Sequence, residues 1–356
     1  MVEDLFRISK QNFQDQLSAQ EKLIQGIHTL SNLEMPKGGV SEKEVIYIED
    51  KLTLYHFIPK VKNHLKTPTL ISYALVNKYY MLDLQEGNSF IEDLLNAGAD
   101  LYVIDWGYPT KDDMYNTMED YIQGYMRNCV EAVLEHAQAD KLNFFGICQG
   151  ATFATIFTAL NPQYVKNLVT VVAPIDFSPS DRLLFHWGKE MDADSMVEAY
   201  GNIPGDVMNN GFLLLSPVKL TTNKYLDIID RLDDPKAMTN FLALETWIFD
   251  SPDQAGATIK QFTNDLYHGN KLIKGELKIG DQVVDLKNIE QPLLNVIATR
   301  DDQVPQKASE PLNKAVSSKD TETVRYESGH IGLFVSRRSR KEMIPKVMEF
   351  YKERDE

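Results

Sequence analysis

Cysteine is almost absent from this chain: Cys129 and Cys148 are the only two among 356 residues. Two thiols allow at most one disulfide and cannot build a disulfide framework or a cysteine-rich zinc site, so each is judged as a thiol in its own surroundings. Long apolar runs are missing as well, and nothing reaches the roughly 18 unbroken apolar residues that a spanning helix requires. Positive charge is in deficit, with 37 Lys and Arg against 52 Asp and Glu and a net charge of -15. That balance opposes non-specific attraction to nucleic acid or anionic membranes, and an anionic ligand must find a local cationic patch. The opening Met1-Val2-Glu3-Asp4 lacks the basic and apolar regions of a secretory signal, which sets a cytoplasmic expectation. There is no Walker-type phosphate loop, internal repeat or low-complexity tract. Acid pairs such as Asp192-Asp194 and Asp233-Asp234 have no histidine or acid spacing that points to a metal. Neither a metal nor a bound cofactor is therefore expected.

What remains is an ordinary globular composition, 43% hydrophobic and 10% aromatic, in a length that suits one α/β domain carrying an insertion. Phe6, Phe13, Leu17, Ile24, Ile27 and Leu30 recur at helical spacing, which predicts an amphipathic helix within an amino-terminal extension over 1–40. Its apolar face wants a partner. Short strands are expected at 45–48 and 52–57. Apolar runs at 69–75, 101–106, 142–147 and 168–172 then alternate with helical stretches near 89–97, 118–136 and 151–160. That is the rhythm of a mostly parallel, buried sheet. The core over 41–174 breaks off into a segment rich in Trp, Phe, Met, Asn and Asp, read as a cap insertion over 175–288. It resumes over 289–356 with a strand at 293–298, a helix at 307–315, a strand at 323–326 and a helix at 340–351. The run Arg337-Arg338-Ser339-Arg340-Lys341 reads as a solvated helix start, with an anion contact as the sharper alternative.

The strongest local signal is Phe144-Phe145-Gly146-Ile147-Cys148-Gln149-Gly150-Ala151, an apolar strand running through G-x-C-x-G into a helix. This is the pattern of a nucleophile elbow with sulfur in place of oxygen. At such an elbow the nucleophile sits in strained backbone at the strand end, and its neighbours two before and two after must be small. The helix dipole favours thiolate, and the backbone N–H of Gln149 points where an oxyanion would form. A buried small cysteine beside two incidental glycines is the plainer reading of five residues. Partners downstream argue against it. An acid follows the strand at 293–298 in Thr299-Arg300-Asp301-Asp302-Gln303-Val304-Pro305, and a glycine-flanked histidine follows the last strand in Gly329-His330-Ile331-Gly332. In this order Asp301 orients His330, and His330 takes the proton of Cys148. His28, His56, His64, His136, His186 and His268 lack strand-end placement and read as surface or core-filling imidazoles, and Cys129 reads as an inert buried thiol.

Several further blocks make the chain resemble a known family, the polyhydroxyalkanoate synthases, and within it the short catalytic subunits of the two-component class III enzymes. They are Tyr73-Ala74-Leu75-Val76-Asn77-Lys78 continuing to Leu84, Asp105-Trp106-Gly107-Tyr108-Pro109, Gly201-Asn202-Ile203-Pro204-Gly205, and Trp247-Ile248-Phe249-Asp250-Ser251-Pro252-Asp253-Gln254-Ala255-Gly256. The resemblance runs from about 42 to 351 and implies an α/β-hydrolase fold with an inserted cap. It also implies catalytic Cys148, Asp301 and His330, and an oxyanion hole from the N–H groups of Gln149 and Val76. It further implies use of an (R)-3-hydroxyacyl-CoA, the 3-hydroxybutyryl thioester foremost, to build polyester with release of CoA. A non-homologous second subunit, a homodimer and association with polyester granules are implied too. The family usually places another residue, often His, after its acid. The doublet Asp301-Asp302 departs from this, and counting back from Pro305 selects Asp301. A cysteine at the elbow conserves the thioester's activation for transfer, which favours a transferase over the alternative, a thioesterase or dienelactone-hydrolase-like enzyme. A non-catalytic granule-coat module would not need the triad. Which of His330 or Asp301 activates the substrate hydroxyl is left open by the sequence.

Overall fold

Strands that are apolar on both faces require a sheet covered on both sides, and that is how this chain folds. A computed structural model describes residues 37–217, 228, 231–232 and 234–355; the helix anticipated over 4–30 lies outside them. The main sheet has eight strands: β1 (Lys43–Glu49), β2 (Leu52–Phe57), β3 (Thr69–Ser72), β4 (Leu101–Asp105), β5 (Leu142–Ile147), β6 (Val165–Val171), β7 (Leu293–Ala298) and β8 (Thr321–Tyr326). Their spatial order is β1-β2-β4-β3-β5-β6-β7-β8. β1 and β2 are antiparallel and β2 pairs antiparallel with β4, while every later pairing is parallel. The chain steps outward from β3 to β4 and then crosses back to β5. Successive connections therefore diverge beside β3 and β5, which is where open sheets of this type open a crevice at their carboxyl ends.

The helices that cover the sheet carry local signals. In α1 (Phe90–Ala97), Ser89 caps the start by accepting the Glu92 N–H, and Gly98 ends the helix at φ 96°, where a side chain would be strained. α2 (Met126–Ala137) begins later than its apolar pattern suggests, because a wider π turn fills Asp120–Tyr125. α3 (Gln149–Leu160) is buried along nearly its whole length beneath the sheet. The helix expected over 307–315 is two short pieces, Gln306–Ser309 and Leu312–Ala315, because Pro311 supplies no N–H to continue the ladder. The strand expected over 69–75 stops at Ser72, and 73–78 leaves the sheet as a loop.

The last helix, α4 (Arg337–Lys352), starts with the basic run and leaves Arg337, Arg338 and Lys341 exposed as expected, but corrects the reading at one residue. Arg340 is only 3% exposed and bonds Asp93, Asn88 and the carbonyl of Phe334, so it ties α4 to α1 rather than facing solvent or an anion. Arg338 stays at the surface beside Glu342.

Between the neighbouring strands β6 and β7 the chain leaves the sheet for a helical excursion that includes Leu183–Glu190, Ala193–Tyr200, Gly205–Leu214, Pro235–Phe249 and Gly256–Gln261. Its aromatics do different things. Phe185 is fully buried and stacks on Phe177, and Trp247 is 3% exposed, but Phe249 is exposed. No helix among the described residues is long and apolar enough to cross a membrane.

Candidate active site

Every element that carries a sequence-predicted site residue ends on the same edge of the sheet. Cys148 directly follows β5, and its φ of 53° with ψ of -124° is unusual for a residue bearing a side chain. The two glycines around it make that turn possible. A Cβ on Gly146 would lie 2.4 Å from the Cα of Ala151, and one on Gly150 would lie 2.3 Å from the carbonyl oxygen of Ser72. Strand, helix and the β3 loop are in backbone contact at this point. Cys148 itself is half-buried and stands at the amino terminus of α3, whose first N–H groups have no partner within the helix.

Asp301 lies past the end of β7 and is 1% exposed. Its Oδ1 accepts the backbone N–H groups of Gln303 at 2.8 Å and Val304 at 2.9 Å, and its Oδ2 faces His330 Nδ1 at 2.7 Å. The neighbouring Asp302 points elsewhere, accepting the Ser216 hydroxyl at 3.4 Å. His330, in the loop after β8, is buried. Burial opposes its protonation, yet the charges of Asp301 and Cys148, and hydrogen bonds to both, hold its pKa well above the ordinary histidine value. The structure therefore brings Cys148, His330 and Asp301 into one chain of contacts and leaves Asp302 outside it. Cys129 is fully buried in α2, where burial and the charge of Glu49 push its thiol far up, so it carries no thiolate.

The loop after β3 is held by two glutamines whose side chains the sequence reading did not single out. Gln149 Oε1 accepts the N–H of Leu75 at 3.0 Å, while Gln254 Nε2 donates to the carbonyl of the same residue at 3.0 Å. Leu75 is thus held on both faces of its peptide groups. The next residue, Val76, lies in the turn after β3 and packs, like Cys148, against the same apolar cluster. Farther along, Trp247 Nε1 donates to the carbonyl of Lys78 at 2.8 Å. Tyr80 and Tyr108 donate to the two oxygens of Asp250 at 2.6 and 2.7 Å. The Lys78 ammonium pairs with Asp105 and sits over the Tyr108 ring. The excursion's 247–256 segment is therefore a brace for the 73–80 loop. A glutamine directly after Cys148 was the available signal for it.

Burial first, and then the charge of Cys148, raise the hydroxyls of Tyr73 and Tyr267, so both stay neutral. Tyr267 packs among Phe177, Phe185 and Phe262. Its ring occupies space that a Cβ on Gly188 would enter, at 2.3 Å.

A parallel-rich sheet with a nucleophile elbow and an acid and histidine on succeeding strand ends defines an α/β hydrolase, and the family model for that fold matches residues 76–336. A solved monoacylglycerol lipase from Paleococcus ferrophilus shares the fold, with a TM-score of 0.55 over 85% of this chain and all of that one at 15% identity. Similarity of sequence is far narrower. Residues 3–94 match the family described as the poly-beta-hydroxybutyrate polymerase (PhaC) N-terminus. A poly(3-hydroxyalkanoate) polymerase subunit PhaC from Thiocystis violacea is 45% identical across 96% of each chain. One from Synechocystis sp. is 44% identical across 97% of this chain and 94% of that one. The chain belongs to the poly(3-hydroxyalkanoate) polymerase subunit family and is an enzyme of the acyltransferase type.

Proposed function

We propose that this chain polymerises an (R)-3-hydroxyacyl-CoA, with 3-hydroxybutyryl-CoA as the first monomer to try, into polyhydroxyalkanoate through thioesters on Cys148. The observation that carries the reading is a cysteine, rather than a serine, at the elbow and next to a histidine already oriented by a carboxylate. The Cys148 thiolate attacks the thioester carbonyl, and the N–H groups of Gln149 and Val76 receive the oxyanion. The CoA sulfur leaves with a proton from His330. One thioester replaces another, so the acyl group remains activated for the 3-hydroxyl of the next unit or chain end. His330 then takes that hydroxyl proton. Asp301 is a poor rival for that step, since it is 1% exposed and both its oxygens are engaged. No metal and no tightly bound cofactor enters this scheme. Residues 175–288 are read as the cap that excludes water from the acyl-enzyme.

The same reading makes the chain one half of a two-component enzyme that works as a homodimer with a non-homologous second subunit, in the cytoplasm at the surface of polyester granules. Support comes from the relatives described as polymerase subunits. The test is incubation with (R)-3-hydroxybutyryl-CoA, with and without the second subunit, following CoA thiol release and insoluble polyester together. Polymer formed in step with CoA, weakly alone and strongly with the subunit, is the expected result. CoA release with free 3-hydroxybutyrate and no polymer would make the chain a hydrolase instead. Full-rate polymerisation by the chain alone would remove the two-component assignment.

A further inference from the structure

The opposite end of the sheet holds a cluster of side chains that the polymerase reading does not use. Glu44 on β1, His56 on β2 and Tyr102 on β4 are successive register partners across three strands, so their side chains form one row on one face. His136, in the last turn of α2, comes down onto that row, its ring 4.9 Å from His56. His56 Nδ1 lies 2.9 Å from Glu44 Oε1, and His136 Nε2 lies 3.9 Å from the same oxygen. All three atoms fall within 4.8 Å of one another. Tetrahedral zinc with bonds of about 2.0–2.1 Å needs ligand atoms roughly 3.3 Å apart, so side-chain adjustments of about an ångström suffice.

The nitrogens that face away from this point are occupied too. His56 Nε2 meets Asp100 Oδ1 at 2.9 Å, and His136 Nδ1 meets the Tyr102 hydroxyl at 2.9 Å. Outer partners of this kind fix the ring orientation of metal-binding histidines. Asp100 and His56 are buried, whereas Glu44 and His136 are exposed, so the point where the three atoms converge opens to solvent. Two carboxylates bracket the one buried imidazole, and the cluster holds no lysine or arginine contact to Glu44 or Asp100 among the described ion pairs. Asp100 is the buried one of the two, and a proton on His56 or a cation beside it would balance its charge.

We propose that Glu44 Oε1, His56 Nδ1 and His136 Nε2 form a binding site for a divalent cation of the zinc class, with water as the fourth ligand. Two nitrogens and one carboxylate suit zinc and its borderline neighbours and not calcium or magnesium, which take oxygen. Binding releases the Nδ1 proton of His56 to solvent. The site lies at the amino-terminal end of β4, while Cys148 lies at the carboxyl edge, so the cation staples the edge strand β1 to α2 and takes no part in acyl transfer. Sequence spacing hides it, because 12 residues separate Glu44 from His56 and 80 separate His56 from His136.

Full-length protein stripped with EDTA and loaded with Co2+, a spectroscopic probe for zinc sites, tests the proposal. Wild-type protein should develop the visible ligand-field bands of a tetrahedral nitrogen and oxygen site, and Cys148→Ala should keep them. His136→Ala, which alters an exposed residue, should lose them, and Asp100→Asn should weaken Co2+ binding about 10- to 100-fold. Saturating Zn2+ should raise the Tm of wild type but not of His136→Ala. The proposal is overturned if Co2+ is not taken up. It is equally overturned if the bands carry a sulfur charge-transfer component and vanish with Cys148 instead, or if both proteins gain the same Tm.

Discussion

Replacing Asp301 by Asn exchanges one carboxylate oxygen for NH2 at almost no change in volume, which makes it the sharpest probe of the site. In the native carboxylate, Oδ1 accepts two backbone N–H groups and Oδ2 accepts the Nδ1–H of His330 at 2.7 Å. An asparagine can satisfy only one side. With its carbonyl kept toward Gln303 and Val304, its NH2 confronts Nδ1–H, and the imidazole must turn to the tautomer that carries hydrogen on Nε2. That tautomer cannot take a proton from Cys148. With the amide reversed, two backbone donors face a donor in a site that is 1% exposed. Loss of an oriented general base costs about two to four decades in turnover, or roughly 3 to 5 kcal/mol of barrier. Asp302→Asn, by contrast, touches a residue bonded to Ser216 and should stay within about twofold of wild type. The assay is initial CoA release from (R)-3-hydroxybutyryl-CoA, with Tm measured on each variant to separate chemistry from folding. If Asp302→Asn is the more damaging change, or if folded Asp301→Asn keeps a tenth of the wild-type rate, the assignment of the orienting acid is wrong.

Three further outcomes can be checked quickly. Cys148→Ala should abolish both acylation of the protein and polymer formation, while Cys129→Ala stays active; mass spectrometry of the acylated chain reads both, and an acylated Cys148→Ala protein would refute the nucleophile. Gly146→Ala forces a Cβ to 2.4 Å from the Ala151 Cα, so it should cost about 1 to 3 kcal/mol in chemical denaturation and most of the turnover; an unchanged midpoint would mean that the elbow is looser than described. His56 is held above its usual pKa of 6.5: burial opposes the charge, but the Asp100 and Glu44 carboxylates outweigh it. Its stabilisation is therefore complete below pH 6.5 and is lost as pH rises through the raised folded value. In EDTA-stripped protein the Tm should fall across that window, and His56→Gln should flatten the fall; identical slopes in the two proteins would refute the pairing.

Much of this molecule is legible from its residues because the sheet is buried on both sides and so writes itself as apolar runs. β2, β5 and β7 match their predicted bounds, since each run is closed by charge, glycine or proline. The meeting of Cys148, Asp301 and His330 at one sheet edge was readable for a related reason: each follows a strand, and strand ends are what periodicity locates best. Features that depend on partners far away in sequence were not. Arg340 looked like one charge in a solvated run, and only the packing of α4 on α1 shows it buried against Asp93. The grip of Gln149 and Gln254 on Leu75 joins residues 74 and 179 apart in the chain. The split of one expected helix at Pro311 was within reach of a stricter reading of proline, and the π turn before α2 was not, because its apolar spacing still suits a helix.

Because β6 and β7 are parallel neighbours, the helical excursion leaves the sheet past Val171 at its carboxyl edge and crosses back to the opposite edge to begin β7 at Leu293. Such a segment is a cassette: it can be exchanged for another of different length without moving a single sheet hydrogen bond. Among its ties to the core, two donors, the Gln254 amide on Leu75 and the Trp247 indole on Lys78, reach back to steady the 73–80 loop. A chimaera that imports a foreign excursion to widen the range of side chains in the polyester must therefore bring both donors with it. Grafts that carry them should keep their CoA-release rate while the monomer preference shifts, and grafts that lack them should fold yet turn over slowly. Equal rates from both kinds of graft would show that the loop stands without its brace.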